Sequence, residues 1–194
     1  MKPLKLFGLA LGASLALSTA AMADDITVAV AGPMTGTESA FGRQMKNGAE
    51  MAVAEFNAGG GVLGKKLALQ VEDDACDPKQ ARSVAEKIAG AGIPFVAGHY
   101  CSSSSIPASE AYADGNVLQI TPASTNPTFT ERKLWNVARV CGRDDQQGAV
   151  AADYIAKNFK GKNIAILNDK TTYGKGLALS LIHISEPTRL RRTS

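Results

Sequence analysis

Residues 26–56 read ITVAVAGPMTGTESAFGRQMKNGAEMAVAEF, and this stretch decides the fold class. Ile26 to Gly32 is a short apolar run ending in Gly-Pro, the pattern of a strand buried in a parallel sheet. The period then changes. Phe41, Met45, Ala49, Ala52, Val53 and Phe56 recur at helical spacing, the stripe by which a helix covers a sheet. Gly59-Gly60-Gly61 ends that helix.

The same alternation continues outward. KLALQVE (66–72) reads as a second strand, and Asp77-Pro78 as a helix start, an N-cap followed by proline at the first helical position. Ala81, Val84, Ala85 and Ile88 form that helix's buried stripe. IPFVAG (93–98), VLQIT (117–121) and NIAILND (163–169) read as further strands, with helices around Ser105–Ala113 and Gln147–Asn158. Repeated strand–helix units predict an α/β fold, a parallel sheet covered by helices on both faces.

Both ends of the chain read differently from the middle. Lys2 and Lys5 precede an uncharged apolar run from Leu6 to Leu17, and Ala21-Met22-Ala23 offers a small-x-small cleavage pattern. This is the layout of a secretory signal peptide, cleaved near Ala23/Asp24, and the run is too short to span a bilayer. No cysteine stands at the cleavage point, which argues against a lipid anchor. LSLIHISEPTR (179–189) resembles one reading frame of a transposase sequencing adapter. Residues 179–194 are therefore expected to be a non-native tail, with a genuine basic tail as the alternative. The formal charge of +3 belongs to these ends. Between Asp24 and Ala178 stand 16 Lys+Arg and 17 Asp+Glu, so neither a nucleic acid nor a membrane surface is an expected partner. Three cysteines in an exported chain make a disulfide plausible, with one thiol left over.

GGGVLGKK (59–66) nearly matches a phosphate-binding loop but lacks the hydroxyl residue after its first lysine and precedes a strand, so it reads as a turn. No G-x-S-x-G elbow accompanies the serine run Ser102–Ser105, although His99 lies close enough in sequence to keep a nucleophile–base pairing open. With His183 in the tail, His99 is the only other histidine, and no metal site or cofactor is expected. Cys76 and Cys101 follow the second and third strands, on one edge of the sheet, and are expected to pair; such a loop closure contributes about 3 kcal/mol.

Ligands of open parallel sheets bind beyond the carboxyl ends of the strands. The loops there are GPMTGTESAF, DDACDP, HYCSSSSIPAS and TPASTNPT, all rich in hydroxyls and glycine. A serine run entering a helix presents free amides and a positive dipole end to a carboxylate. TPAST (121–125) adds a carbonyl acceptor and two more hydroxyls. Together they suit the carboxylate and ammonium of an α-amino acid. The same residues also serve ordinary turns and caps, and chemistry alone leaves the two readings equal.

DDACDPKQA, GHYCSSSSIPAS, ITPASTNP and DKTTYGKGLA, in this order and spacing, resemble the periplasmic leucine/isoleucine/valine-binding proteins of ABC transporters. The resemblance implies a Rossmann-like lobe of a type I periplasmic-binding-protein clamshell, with the second lobe mostly missing. It divides the chain into a signal peptide (1–23), an N-terminal ligand-binding lobe (24–142), the start of a second lobe (143–178) and the tail (179–194). It implies no enzyme activity, an aliphatic amino acid as ligand, permease subunits as partners, and a monomer. Ser102 looks like the carboxylate ligand, Thr125 a hydroxyl and amide donor, and the Ala123 carbonyl an ammonium acceptor. Tyr100 and Cys101 match pocket-lining positions, Tyr173 an aromatic from the second lobe, and Cys76–Cys101 the family disulfide. Ser124 belongs to the same loop, and Ser105 is expected to matter much less. Phe41 stands where some members have tyrosine, which bears on selectivity. Two rivals remain: an exported α/β hydrolase using Ser102–Ser105, and a ligand-sensing domain of the same fold.

Overall fold

The computed structural model describes residues 25–185, with side chains through residue 182. The expected cleavage site and most of the expected tail lie outside them. The elements run β1 (Ile26–Gly32), α1 (Ser39–Ala58), β2 (Leu67–Asp73), α2 (Pro78–Gly90), β3 (Phe95–Gly98), α3 (Ser102–Asp114), β4 (Leu118–Thr121), α4 (Thr128–Glu131), β5 (Val137–Arg139), α5 (Asp144–Asn158) and α6 (Thr172–Ser185). Five strands form one parallel sheet in the order β2-β1-β3-β4-β5. Strand order reverses between β1 and β3, so the crevice favoured for ligands lies beyond Gly32 and Gly98. Gly98 is required there: its φ is 151°, and a Cβ would overlap the Ala31 carbonyl of the neighbouring strand.

One face of the sheet carries the core. Ala29, Ala31 and Val96 meet Ala81, Val84, Ala85 and Ile88 of α2 and Ala108, Ala111 and Tyr112 of α3. All four residues of the expected α2 stripe are buried, and burying a side chain such as Ile88 contributes about 1.5–3 kcal/mol. Asp77 caps α2 by accepting the amides of Lys79 and Gln80, with Pro78 at the first helical position.

The other face departs from the expectation of full cover. Among the described residues α1 covers part of it, against β1 and β2. An apolar groove of about 830 Å³ stays open between Met45 and Ala49 of α1 and Val28, Leu69, Phe95 and Pro122. The α1 stripe therefore lies half in the open: Met45, Ala49 and Val53 are half-buried, Phe56 is 55% exposed, and the one buried residue of the helix is Gly42, outside the stripe.

Three further differences have local causes. NIAILND forms no strand, and Leu167 is 93% exposed, because the stretch pairs with no strand among the described residues. The three-residue β5 and the one-turn α4 were not foreseen, being too short to carry a period. The helices expected near Ser105 and Gln147 start earlier, at Ser102 and Asp144. In α3 the Cys101 carbonyl takes the amides of both Ser104 and Ser105; in α5 Asp144 and Asp145 sit where the helix dipole favours negative charge. The stretch from Gly59 to Lys66 is a turn, closed by a bridge between Val62 and Lys65, as its glycines imply. Helix α6 passes the expected boundary at Ala178 without a break and packs on α5.

Candidate functional site

The loops at the carboxyl ends of the strands are fixed before any ligand is considered. Asp73, at the end of β2, accepts the Met34 and Thr35 amides (2.8 and 3.2 Å), the Thr35 hydroxyl and the Ala75 amide. Partial burial pushes its carboxyl up, but these bonds outweigh burial and hold it below the usual range. The loop between β1 and α1 is thereby tied to the end of β2. Next to it, Cys76 and Cys101 form a disulfide across a Cα–Cα distance of 5.6 Å, as expected, and Cys141 stays a free thiol.

Beneath the disulfide lies a buried polar chain. His99 Nδ1 meets Asp74 at 2.5 Å and its Nε2 meets the Tyr112 hydroxyl at 3.1 Å, with all three residues fully buried. Burial pushes the Tyr112 phenol up, and the nearby Asp74 and Glu72 charges push it further, so Tyr112 keeps its proton. It then donates to Nε2 while Nδ1–H donates to Asp74, a pairing that satisfies every group. His99 has no ring nitrogen left for a serine. The Ser–His pair on which the hydrolase reading rested is therefore not formed.

The serine and TPAST loops separate into framework and free groups. Ser124 is fully buried, its hydroxyl 2.6 Å from that of Ser105 and donating to the Tyr100 carbonyl at 3.0 Å. Thr121 donates to the His99 carbonyl at 2.6 Å and accepts the Ala123 and Ser124 amides. Ser105 is equally buried and holds Ser124. Other groups stay unused among the described residues. The amides of Ser102 and Ser103, the Ala123 carbonyl and the Thr125 amide carry no hydrogen bond, and the buried Thr125 hydroxyl has no partner. Ser102 is 2% exposed and accepts the Asn126 amide at 3.3 Å, which sets it beside the Thr125 loop.

The aromatic residues gather at the same end. Phe41 stacks on Tyr100, ring centroids 4.8 Å apart and planes 13° from parallel. Burial pushes the Tyr100 phenol up, helped by Glu38 and by Tyr173 from α6. Asn126 reaches α6 as well, its amide donating to the Thr172 carbonyl at 3.0 Å. Phe41 and Tyr173 are each 42% exposed, so their faces remain available. The structure thus places Phe41 on Tyr100, and Ser102 on the Asn126 amide beside Thr125, at the carboxyl ends of the strands, with Tyr173 of α6 near Tyr100. Cys101 belongs there by its backbone, its sulfur being spent in the disulfide; Ser124 stands behind it as support.

Sequence reasoning missed two residues behind the TPAST loop. Arg139, on β5, donates to the Ser124 and Asn126 carbonyls at 2.6 and 2.8 Å. Asp144, at the start of α5, is fully buried with neither carboxylate oxygen hydrogen-bonded, and its backbone amide donates to the Thr125 carbonyl at 3.0 Å. Burial pushes the Asp144 carboxyl up, and the nearby Thr125 hydroxyl and Arg139 charge offset part of that. The sequence signal was slight: Arg139 is a charge between alanine and valine, and Asp144 is one of two adjacent aspartates at a helix start, patterns that many surface positions share. No group of His, Cys, Asp and Glu suited to a metal ion occurs among the described residues.

Comparison with known proteins agrees with this geometry. A protein 52% identical over 178 residues is named Leu/Ile/Val-binding protein homolog 2 of Brucella abortus (strain 2308); the match covers 92% of this chain and 48% of that protein. Among solved structures, a leucine binding protein, LivK, from Thermotoga maritima superposes with a TM-score of 0.75 at 30% identity, covering 84% of this chain and 46% of the other. An ABC transporter substrate-binding protein from Desulfitobacterium hafniense, in complex with Leu, does so with a TM-score of 0.67 at 31% identity, covering 84% and 48%. The chain spans about half the length of the curated relatives it matches. The profile of the family described as "Periplasmic binding protein" matches residues 25–182, and with the parallel sheet, its switch-point crevice and the Cys76–Cys101 bond in place, the chain belongs to that family.

Proposed function

We propose that this chain is the ligand-gripping first lobe of an ABC-transporter substrate-binding protein that captures branched-chain or related aliphatic amino acids in the periplasm. The observation that carries the reading is the set of unspent polar groups around Ser102 and Thr125. The free amides of Ser102 and Ser103 and the Thr125 hydroxyl and amide are donors for a carboxylate; the Ala123 carbonyl is an acceptor for an ammonium. Phe41, Tyr100 and Tyr173 supply apolar surface beside them. The names of the relatives, Leu/Ile/Val-binding proteins, support the ligand class. In this reading residues 24–142 are the first lobe and 143–178 open the second. The chain is exported by its N-terminal signal, works as a monomer without cofactor or metal, and hands its ligand to permease subunits. It catalyses no reaction.

Calorimetry on the full-length counterpart with leucine, isoleucine and valine tests the proposal, with binding of at least one expected. Activated esters should show no turnover above buffer. Turnover that depends on Ser102 would replace the binding reading with the hydrolase one.

A further inference from the structure

We infer that Arg139 is a positioning residue of the binding crevice, holding the Thr125 segment so that its amide and hydroxyl stay turned to the ligand; this rests on the amino-acid-binding reading above. The segment Ser124-Thr125-Asn126 leaves the sheet after β4 and belongs to no helix or strand. Its shape therefore depends on what grips its carbonyls. All three are gripped. One Arg139 nitrogen donates to the Ser124 carbonyl at 2.6 Å and another to the Asn126 carbonyl at 2.8 Å. The amide of Asp144 takes the Thr125 carbonyl between them at 3.0 Å. The guanidinium is itself anchored, donating to the Thr130 hydroxyl at 3.1 Å and lying 5.4 Å from the centroid of the buried Phe129 ring. A planar fork spans two carbonyls two residues apart; the single ammonium of lysine does not. With every carbonyl held from behind, the Thr125 amide and hydroxyl are the groups left over, and the Asn126 amide is set on Ser102 at 3.3 Å.

Arg139→Lys tests this, because it keeps the charge and removes the fork. In the full-length counterpart, leucine affinity should fall by about tenfold, the cost of one charge-assisted bond. On a Thr125→Ala background, which removes the hydroxyl and keeps the amide, the same change should cost less than it does alone, since residues that act through one another are not additive. A merely structural arginine would cost the same on both backgrounds. In the present chain, amide hydrogen exchange at Asn126 should quicken while the α2 amides stay as they are. Unchanged leucine affinity, an additive double variant, or unchanged exchange at Asn126 would each overturn the inference. A wild-type full-length counterpart that binds no amino acid would sink the functional reading instead, and exchange at Asn126 would still decide the role of Arg139. Should the lysine variant lose its α2 protection, Arg139→Gln, which reaches one carbonyl only, takes its place in the same measurements.

Discussion

The Ser102 and Thr125 hydroxyls differ in what they do without ligand, and that difference can be measured. Ser102 already accepts the Asn126 amide, whereas the Thr125 hydroxyl is buried beside the Asp144 carboxyl without a well-formed bond. In the full-length counterpart each alanine variant should weaken amino-acid binding by about ten- to a hundredfold, the worth of a bond to a charged group. Without ligand, Ser102→Ala should lower stability by about 1 kcal/mol and Thr125→Ala by much less. Equal, negligible effects on binding would reduce both loops to ordinary turns. Ser105 is unsuitable as a neutral control, being tied to Ser124; Ser103, whose hydroxyl makes one long 3.4 Å bond to the Cys76 carbonyl, serves better. Asp144 makes a prediction in pH. Burial raises its folded pKa above the unfolded value, so its contribution to stability is fully present below the ordinary carboxylate range and is lost as pH rises through the folded value. Asp144→Asn removes that slope. Thermal midpoints of variant and wild type should lie closest near pH 4, with the variant gaining steadily toward pH 7, by about 1 kcal/mol for a buried carboxyl that Thr125 and Arg139 offset only in part. A wild type that gains on the variant as pH rises would show that the carboxylate is paired. Neither Arg139 nor Asp144 was legible in the sequence. Each acts through carbonyls more than a dozen residues away, and no local pattern encodes that pairing.

At the scale of elements, legibility followed how local the cause was. Helix α2 was readable because its Asp77 cap, Pro78 and buried stripe all lie within one stretch. Strands β1 to β4 were readable from short apolar runs between glycines and prolines. The stretch 163–169 was misread by the same rule. Its composition suits a strand, yet a strand exists only through a neighbour, and Ile164 and Leu167 stand 46% and 93% exposed instead. The Cys76–Cys101 pair was legible as two loops on one sheet edge, and its energetic role follows from its span of 25 residues. Replacing both cysteines by serine should cost about 3 kcal/mol, a drop of roughly 10 °C in thermal midpoint for a chain of this size. The loss should concentrate where the bond ties the loop after β2 to the start of α3, so amide exchange should quicken at Cys76 and Ser104 before it does in β1. A midpoint within a degree or two of wild type would mean that Asp73, Asp74 and His99 hold these loops without the bond.

For the whole molecule, the decisive feature is that one side of everything is open. The unspent amides of Ser102, Ser103 and Thr125 and the Ala123 carbonyl lie at the carboxyl ends of the strands, and among the described residues α6 approaches them through Thr172 and Tyr173. The sheet has one covered face and one groove of about 830 Å³ lined by apolar side chains. Val150 and Tyr154 of α5 are 71% and 61% exposed, beside a second hollow that reaches Thr125. A chain spanning about half the length of its relatives meets water with surface that a soluble protein ordinarily covers. It should therefore bind an apolar dye such as anilinonaphthalene sulfonate strongly while its α2 and α3 amides remain protected. Its grip on ligand should be poor for a related reason. Full burial of a leucine side chain contributes about 1.5–3 kcal/mol, and a one-walled crevice forfeits much of that together with the polar contacts and water exclusion of a second wall. Calorimetry should find leucine binding to this chain at least about a hundredfold weaker than to the full-length counterpart. Equal affinity in the two would mean that Ser102, Ala123 and Thr125 hold the ligand from one wall alone, and that a second wall adds nothing to capture.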